Sequence, residues 1–191
     1  MLSVLSMTVQ AKSIVILGDS ISAGYGLETG QGWVALLEQR LQQSDKKYRI
    51  YNESISGDTS AGGLARIDKI LKDYQPDIVI IELGANDGLR GLSPKIMQAN
   101  LAEIIRRSQH AGTRVLLLTM RIPPNYGKRY TQMFYKVYQQ LGEQLSVAVV
   151  PFILEDVAIA KELMQADGLH PNQKAQKMIE ARVWQYLQKL L

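Results

Sequence analysis

Apolar and polar positions along the chain alternate between two periods. Within an expected strand over 13–17, Ile14-Val15-Ile16-Leu17 form an apolar, largely β-branched run that breaks at Gly18-Asp19-Ser20. A run without polar alternation predicts a strand buried on both faces and ending in a tight turn. Residues 33–41 then place Trp33, Leu36, Leu37 and Leu41 at helical spacing. The exchange repeats, with strands expected over 48–52, 77–83, 115–118 and 147–150. Helices are expected over 62–71, 94–110, 130–145 and 171–191. Pro94 suits a first helical turn, and His110-Ala111-Gly112 suits a last one, where the imidazole meets the negative end of the helix dipole. Strict β-α alternation predicts an α/β protein with a parallel sheet covered on both faces. Right-handed crossovers make it a three-layer α/β/α sandwich. No repeat, low-complexity tract or linker interrupts the pattern, so residues 12–191 are expected to form one domain.

Composition narrows the class. The chain has 191 residues, 46% of them hydrophobic and 21% charged, enough for one full-sized core. It has no cysteine, which excludes disulfides, thiolate catalysis and cysteine-based zinc sites. The net charge is +4, but no basic run exceeds the pairs Lys46-Lys47, Arg106-Arg107 and Lys128-Arg129. That charge reads as solvated surface, with no nucleic-acid partner expected. Residues 1–11 are uncharged and mildly apolar, and Val9-Gln10-Ala11 resembles the end of a signal peptide. A signal-peptide remnant and a periplasmic or secreted location are expected, with a cytoplasmic chain as the alternative because no basic residue precedes the apolar part. No later stretch reaches the 18 or so apolar residues of a membrane span, so no stable membrane insertion is expected.

The chemistry lies just beyond the strands. Ser20 follows the first, residues 54–59 the second, Gly84-Ala85-Asn86-Asp87 the third and Asp167-Gly168-Leu169-His170 the fifth. Parallel strands bring these clusters to one edge, where open α/β sheets bind ligands. As a nucleophile, Ser20 needs a base. Of the two histidines, His110 is explained by its helix end, which leaves His170. Asp167, three residues earlier, can reach it across one turn, fix its tautomer and stabilise the imidazolium. The backbone amides of Ser20 and Gly57 and the side-chain amide of Asn86 could serve a developing oxyanion. Each part has a plainer reading, since Ser20, Asn86 or Asp167 could cap helices and Gly57 could serve a turn. Their joint appearance at one edge favours catalysis. Residues 88–92 and 122–126 border the same crevice. There Leu89, Leu92, Ile122, Pro123 and Tyr126 are candidates for an acyl groove, with Gly88 and Gly91 freeing its lip; simple cover for the sheet end is the alternative.

Gly18-Asp19-Ser20, Gly57, Gly84-x-Asn86-Asp87 and Asp167-x-x-His170 resemble, in order, the four signature blocks of the SGNH/GDSL hydrolase family. Further likeness lies in residues 55–60, 86–91 and 121–127, so the resemblance covers nearly all of the chain from Ser13 on. It implies a flavodoxin-like five-stranded sheet ordered 2-1-3-4-5, a Ser20/Asp167/His170 triad and an oxyanion hole of Ser20, Gly57 and Asn86. The implied reaction is hydrolysis of fatty acyl esters through an acyl-enzyme on Ser20. Acyl-CoA thioesters, lysophospholipids and aryl esters are the implied small-molecule substrates, as in periplasmic bacterial members. No cofactor and no metal are implied, and a monomer is expected. Ala85 stands where near members carry glycine. A short-chain or carbohydrate acetyl esterase is the alternative within the family. A metal-dependent phosphatase on Asp19, Asp58 and Asp87 is another, but it leaves Ser20, Asn86 and Asp167-x-x-His170 without a task. A flavodoxin-like binding module is a third, although Gly24-Tyr25-Gly26 lacks the third dinucleotide-binding glycine, Thr29 standing there. Ser22 likewise breaks the Gly-x-Ser-x-Gly elbow of α/β-hydrolases.

Overall fold

A computed structural model describes residues 12–191; the expected signal-peptide remnant at 1–11 lies outside the described residues. Five parallel strands, β1 (Lys12–Gly18), β2 (Tyr48–Asn52), β3 (Ile78–Glu82), β4 (Arg114–Leu118) and β5 (Ala148–Val150), form one sheet in the order β2-β1-β3-β4-β5. The order is the one the family resemblance implied. Every residue of β3 is buried, as is all of β1 after Lys12, because helices cover both faces. Fully burying each Ile, Val or Leu here contributes roughly 1.5–3 kcal/mol, so the two central strands anchor the molecule.

The helices are α1 (Ser20–Ala23), α2 (Trp33–Gln42), α3 (Ser60–Tyr74), α4 (Ala85–Leu89), α5 (Pro94–His110), α6 (Lys128–Leu145) and α7 (Gln176–Leu187). Helix α5 packs between α3 and α6, while α2 packs on α7, giving the two outer layers. Several boundaries differ from expectation by one to a few residues, and two helix starts differ for clear local reasons. Helix α3 starts two residues early because Thr59 Oγ1 accepts from Gly62 N–H and caps it. The last helix does not start at Pro171. Pro171 is extended and bridges Met164, and Asn172 Oδ1 caps a 3-10 turn over Gln173–Ala175 before α7 begins. Among the described residues, no helix is long and apolar enough to cross a membrane.

The register that matters most for the site pairs Gly18 with Glu82. It sets the turn after β1 beside the end of β3. At that end Gly84 has φ +113°, and an added Cβ would fall on the Tyr138 hydroxyl, so glycine is required there.

Candidate active site

Strand β1 ends at Gly18 and the chain turns at once into α1, with Ser20 as its first residue. Asp19 caps α1 through Oδ1, which accepts from Ile21 N–H at 3.0 Å. Ser20 therefore stands at the helix start, and its own N–H has no intrahelical acceptor. Its Oγ lies 2.9 Å from His170 Nε2, and His170 Nδ1 lies 2.7 Å from Asp167 Oδ2.

Asp167 and His170 come from a stretch, residues 151–172, whose one helical piece is a 3-10 turn over Lys161–Leu163. Hydrogen bonds shape it instead. Asp167 Oδ1 accepts from Leu169 N–H at 2.9 Å and His170 N–H at 3.0 Å, a local turn in which Gly168 has φ +66°. Gln165 N–H donates to the His170 carbonyl and Gln165 Nε2 to the Tyr25 carbonyl, tying the turn to the loop after α1. The His170 backbone and side-chain donors, with Leu169 N–H, pull the Asp167 carboxyl down to about 2. An ionised Asp167 accepts from Nδ1–H and leaves the Nε2 lone pair facing the Ser20 hydroxyl. The Tyr25 ring lies 4.5 Å from the His170 ring, tilted by 38°.

Gly57 sits in the turn after β2 with φ +80°; its carbonyl accepts from Arg90 Nη2 at 2.8 Å, while its N–H has no acceptor among the described residues. Asn86 lies within α4, and its Nδ2 donates to Asp19 Oδ2 at 3.0 Å and to the Asp58 carbonyl at 2.9 Å. Both amide hydrogens are thus engaged in the free protein.

A crevice of about 160 Å³ opens at Ser20 and His170, lined by Ile21, Asn86, Leu89, Met120, Pro123, Leu154 and Leu169 among others. Larger crevices of about 390 and 410 Å³ lie elsewhere and contain neither Ser20 nor His170. Of the expected groove residues, Leu89 and Pro123 line the small crevice, while Leu92, Ile122 and Tyr126 do not. Ile122 is buried over Gly88, Leu92 is exposed, and the Tyr126 hydroxyl donates to the Leu89 carbonyl. Nor is Gly88 a free lip, since an added Cβ would press on Ile122 and Phe134. Sequence reasoning missed Tyr25, Met120 and Leu154, which converge only through folding.

The three aspartates of the metal-dependent alternative do not converge. Asp19 faces Ile21 and Asn86, Asp58 pairs with Arg66, and Asp87 accepts from Ser60 N–H and Oγ. Among the described residues, no group of three or more His, Asp or Glu could hold a metal ion.

The family model for GDSL-like lipases and acylhydrolases matches residues 16–178. The chain belongs to the GDSL-like lipase/acylhydrolase family. Among relatives of this hydrolase is "Esterase TesA" of Pseudomonas aeruginosa, 48% identical over 190 residues, covering 100% of this chain and 94% of the relative. Another is "Thioesterase 1/protease 1/lysophospholipase L1" of Escherichia coli K12, 42% identical over 181 residues, covering 95% and 86%. The crystal structure of the esterase EstA from Pseudoalteromonas, inhibited by monoethylphosphonate, superposes with a TM-score of 0.90 at 44% identity over 93% of this chain and 97% of that one. The GDSL hydrolase described here is an enzyme that cleaves small-molecule esters, of the esterase and thioesterase kind.

Proposed function

We propose that the protein hydrolyses fatty acyl esters and thioesters through an acyl-enzyme on Ser20. The observation that carries this reading is the continuous chain from Asp167 Oδ2 through His170 to Ser20 Oγ, with steps of 2.7 and 2.9 Å, at the mouth of an apolar crevice. His170 Nε2 takes the hydroxyl proton as Ser20 Oγ attacks the acyl carbon, and Asp167 stabilises the imidazolium. The Tyr25 ring face adds a cation–π contribution to that charged state. The oxyanion is received by Ser20 N–H and Gly57 N–H. It also takes one Asn86 hydrogen as a shared, charge-assisted bond. His170 then protonates the departing alcohol or thiol, and the same steps with water release the acid.

The lining supports a substrate with an apolar acyl portion. Ile21, Leu89, Met120, Pro123, Leu154 and Leu169 surround the nucleophile, and Leu169 is 45% exposed at the rim. Acyl-CoA thioesters, lysophospholipids and aryl esters fit this chemistry. The crevice volume of about 160 Å³ specifically favours a second reading, a short-chain or acetyl esterase. A p-nitrophenyl ester series separates the two. Each buried methylene is worth about 0.8 kcal/mol, so kcat/KM rises up to roughly fourfold per added CH₂ until the site is full, provided the contacts persist in the transition state. A series that is flat, or falls beyond acetyl, assigns the short-chain reading.

Residues 12–191 acting as one domain, a monomeric state and export to the periplasm or medium belong to the same proposal. The apolar, uncharged residues 1–11 support export. Cell fractionation of the full chain and light scattering of the purified protein test them.

A further inference from the structure

Two carboxyl groups, those of Asp19 and Glu82, lie under Ser20, and among the described residues neither is bonded to a cationic side chain. The pairing of Gly18 with Glu82 sets the next residue, Asp19, against the Glu82 side chain. Glu82 is fully buried and Asp19 is 1% exposed. Glu82 Oε2 accepts from Ser22 Oγ at 2.7 Å and from Asp19 N–H at 3.2 Å. Its Oε1 is buried and has no hydrogen-bond donor among the described residues. Asp19 uses both oxygens, Oδ1 for Ile21 N–H and Oδ2 for the Asn86 amide, each at 3.0 Å.

Among the described residues, the surrounding elements place no cationic side chain in hydrogen-bond contact with the pair. From α6 the Tyr138 hydroxyl donates to the Leu83 carbonyl. From α3 Arg66 is paired with Asp58 and donates to the Glu53 and Gly18 carbonyls, bonding to neither carboxyl group of the pair. His170, on the far side of Ser20, is the partner of Asp167. Two adjoining carboxylates buried this deeply, with no cationic side chain bonded to either among the described residues, are strongly disfavoured, and such a pair keeps a proton.

Resting on the oxyanion-hole reading above, we propose that Glu82 holds this proton at neutral pH, donates it from Oε1 to Asp19, and so acts as a positioning residue for the Asn86 amide. The proton turns the one oxygen without a donor into a donor, and every polar atom of the pair is then satisfied. It also leaves a single negative charge, rather than two, beneath the place where the oxyanion forms. With Asp19 held on one side by Ile21 N–H and on the other by Glu82, its Oδ2 keeps the Asn86 amide turned toward the crevice. Burial pushes the Glu82 carboxyl well above the usual range, and the charge of Asp19 adds to it. Burial also pushes Asp19 up to about 6, partly offset by the Ile21 N–H and Glu82.

Infrared spectroscopy of the full chain at pH 7 reads the proton without reference to activity. The wild type should show a carboxylic-acid C=O stretch that shifts in D₂O, and Glu82→Gln should lack it. Glu82→Gln, which keeps the shape and a donor, should retain kcat within a few-fold. Glu82→Val should lose roughly tenfold to a hundredfold in kcat, the cost of a misplaced catalytic group, with KM little changed. Because Glu82 acts through Asn86, Glu82→Val should add nothing to the kcat loss of Asn86→Ala. If Glu82→Val does not fold, the band and the glutamine variant still decide. A missing band, or a glutamine variant with a hundredfold loss, overturns the inference while leaving the oxyanion hole intact. An Asn86→Ala variant with normal kcat overturns the positioning role and the oxyanion reading together, even where the band persists.

Discussion

Ser20 stands at the end of a strand buried throughout after Lys12, whereas Asp167 and His170 stand on a stretch with almost no regular structure. Residues Ile14 to Leu17, which lead to Ser20, are all fully buried, and their strand is paired on both sides. The stretch that carries Asp167 and His170 includes Ile159 at 83% exposure and Leu169 at 45%. There the geometry is kept by the Asp167 turn, by Gln165 and by the Met164–Pro171 bridge. Ser20 is thus fixed by burial of apolar surface, which is strong and non-directional. His170 is fixed by a few hydrogen bonds, each worth about 1 kcal/mol net. In the proposed mechanism His170 moves a proton in both acylation and deacylation, and it is the residue that stands on the more adjustable side.

The largest effect tests whether the two sides form one catalytic unit. Ser20→Ala and His170→Ala should each lower kcat by about 10⁶, and the double variant should be no worse, as happens when residues act together. His110→Ala should keep near-normal kcat, because His110 ends α5 with Nδ1 against the Arg106 carbonyl. Additive losses for Ser20 and His170 in esterase assays would break the unit apart.

A smaller effect belongs to the buried side alone. Asn86→Ala should lower kcat by roughly 10²–10³, with KM changed much less, because its amide acts on charge that appears only in the transition state. A raised KM with intact kcat would make Asn86 a ground-state binding residue.

The smallest effect separates the sides by pH. Asp167 is held at about 2, below its usual value of 3.8, so the folded state binds its proton less tightly than the unfolded chain does. Its contribution to stability is present above about pH 3.8 and is lost as pH falls toward 2. Asp19 is raised from 3.8 to about 6, so its contribution has the opposite sign and is lost as pH rises across that window. Urea unfolding against pH should therefore show the stability gap between wild type and Asp167→Asn changing below pH 4. For Asp19→Asn the gap should change between pH 4 and 6, moving in favour of the variant. Both gaps changing in one window would erase the distinction.

Much of this was legible in the residues, for reasons that differ by region. The runs at 13–17 and 77–83 announced central strands because burial on both faces removes polar alternation. The final helix was misplaced because periodicity over 171–191 says nothing of the Pro171 bridge or the Asn172 cap. Ser20, Asp167 and His170 were readable as candidates from their positions beyond strands. Tyr25, Met120 and Leu154 were not, since no spacing links them before folding. Glu82 did carry a signal, a carboxylate enclosed by apolar residues in Ile-Val-Ile-Ile-Glu-Leu, but its partner Asp19 lies 63 residues away. Ile122 and Tyr126 misled because apolar loop residues can serve the loop itself: Ile122 covers Gly88 and Tyr126 ties down Leu89.

The central claim is that Ser20 is the nucleophile and is activated through His170. Mass spectrometry after treatment with a phosphonylating serine reagent tests it most directly. The account predicts one adduct, on the peptide containing Ser20, formed in step with loss of esterase activity, much slower in His170→Ala and absent in Ser20→Ala. An adduct on another residue, or inactivation that proceeds with Ser20 unmodified, would contradict it.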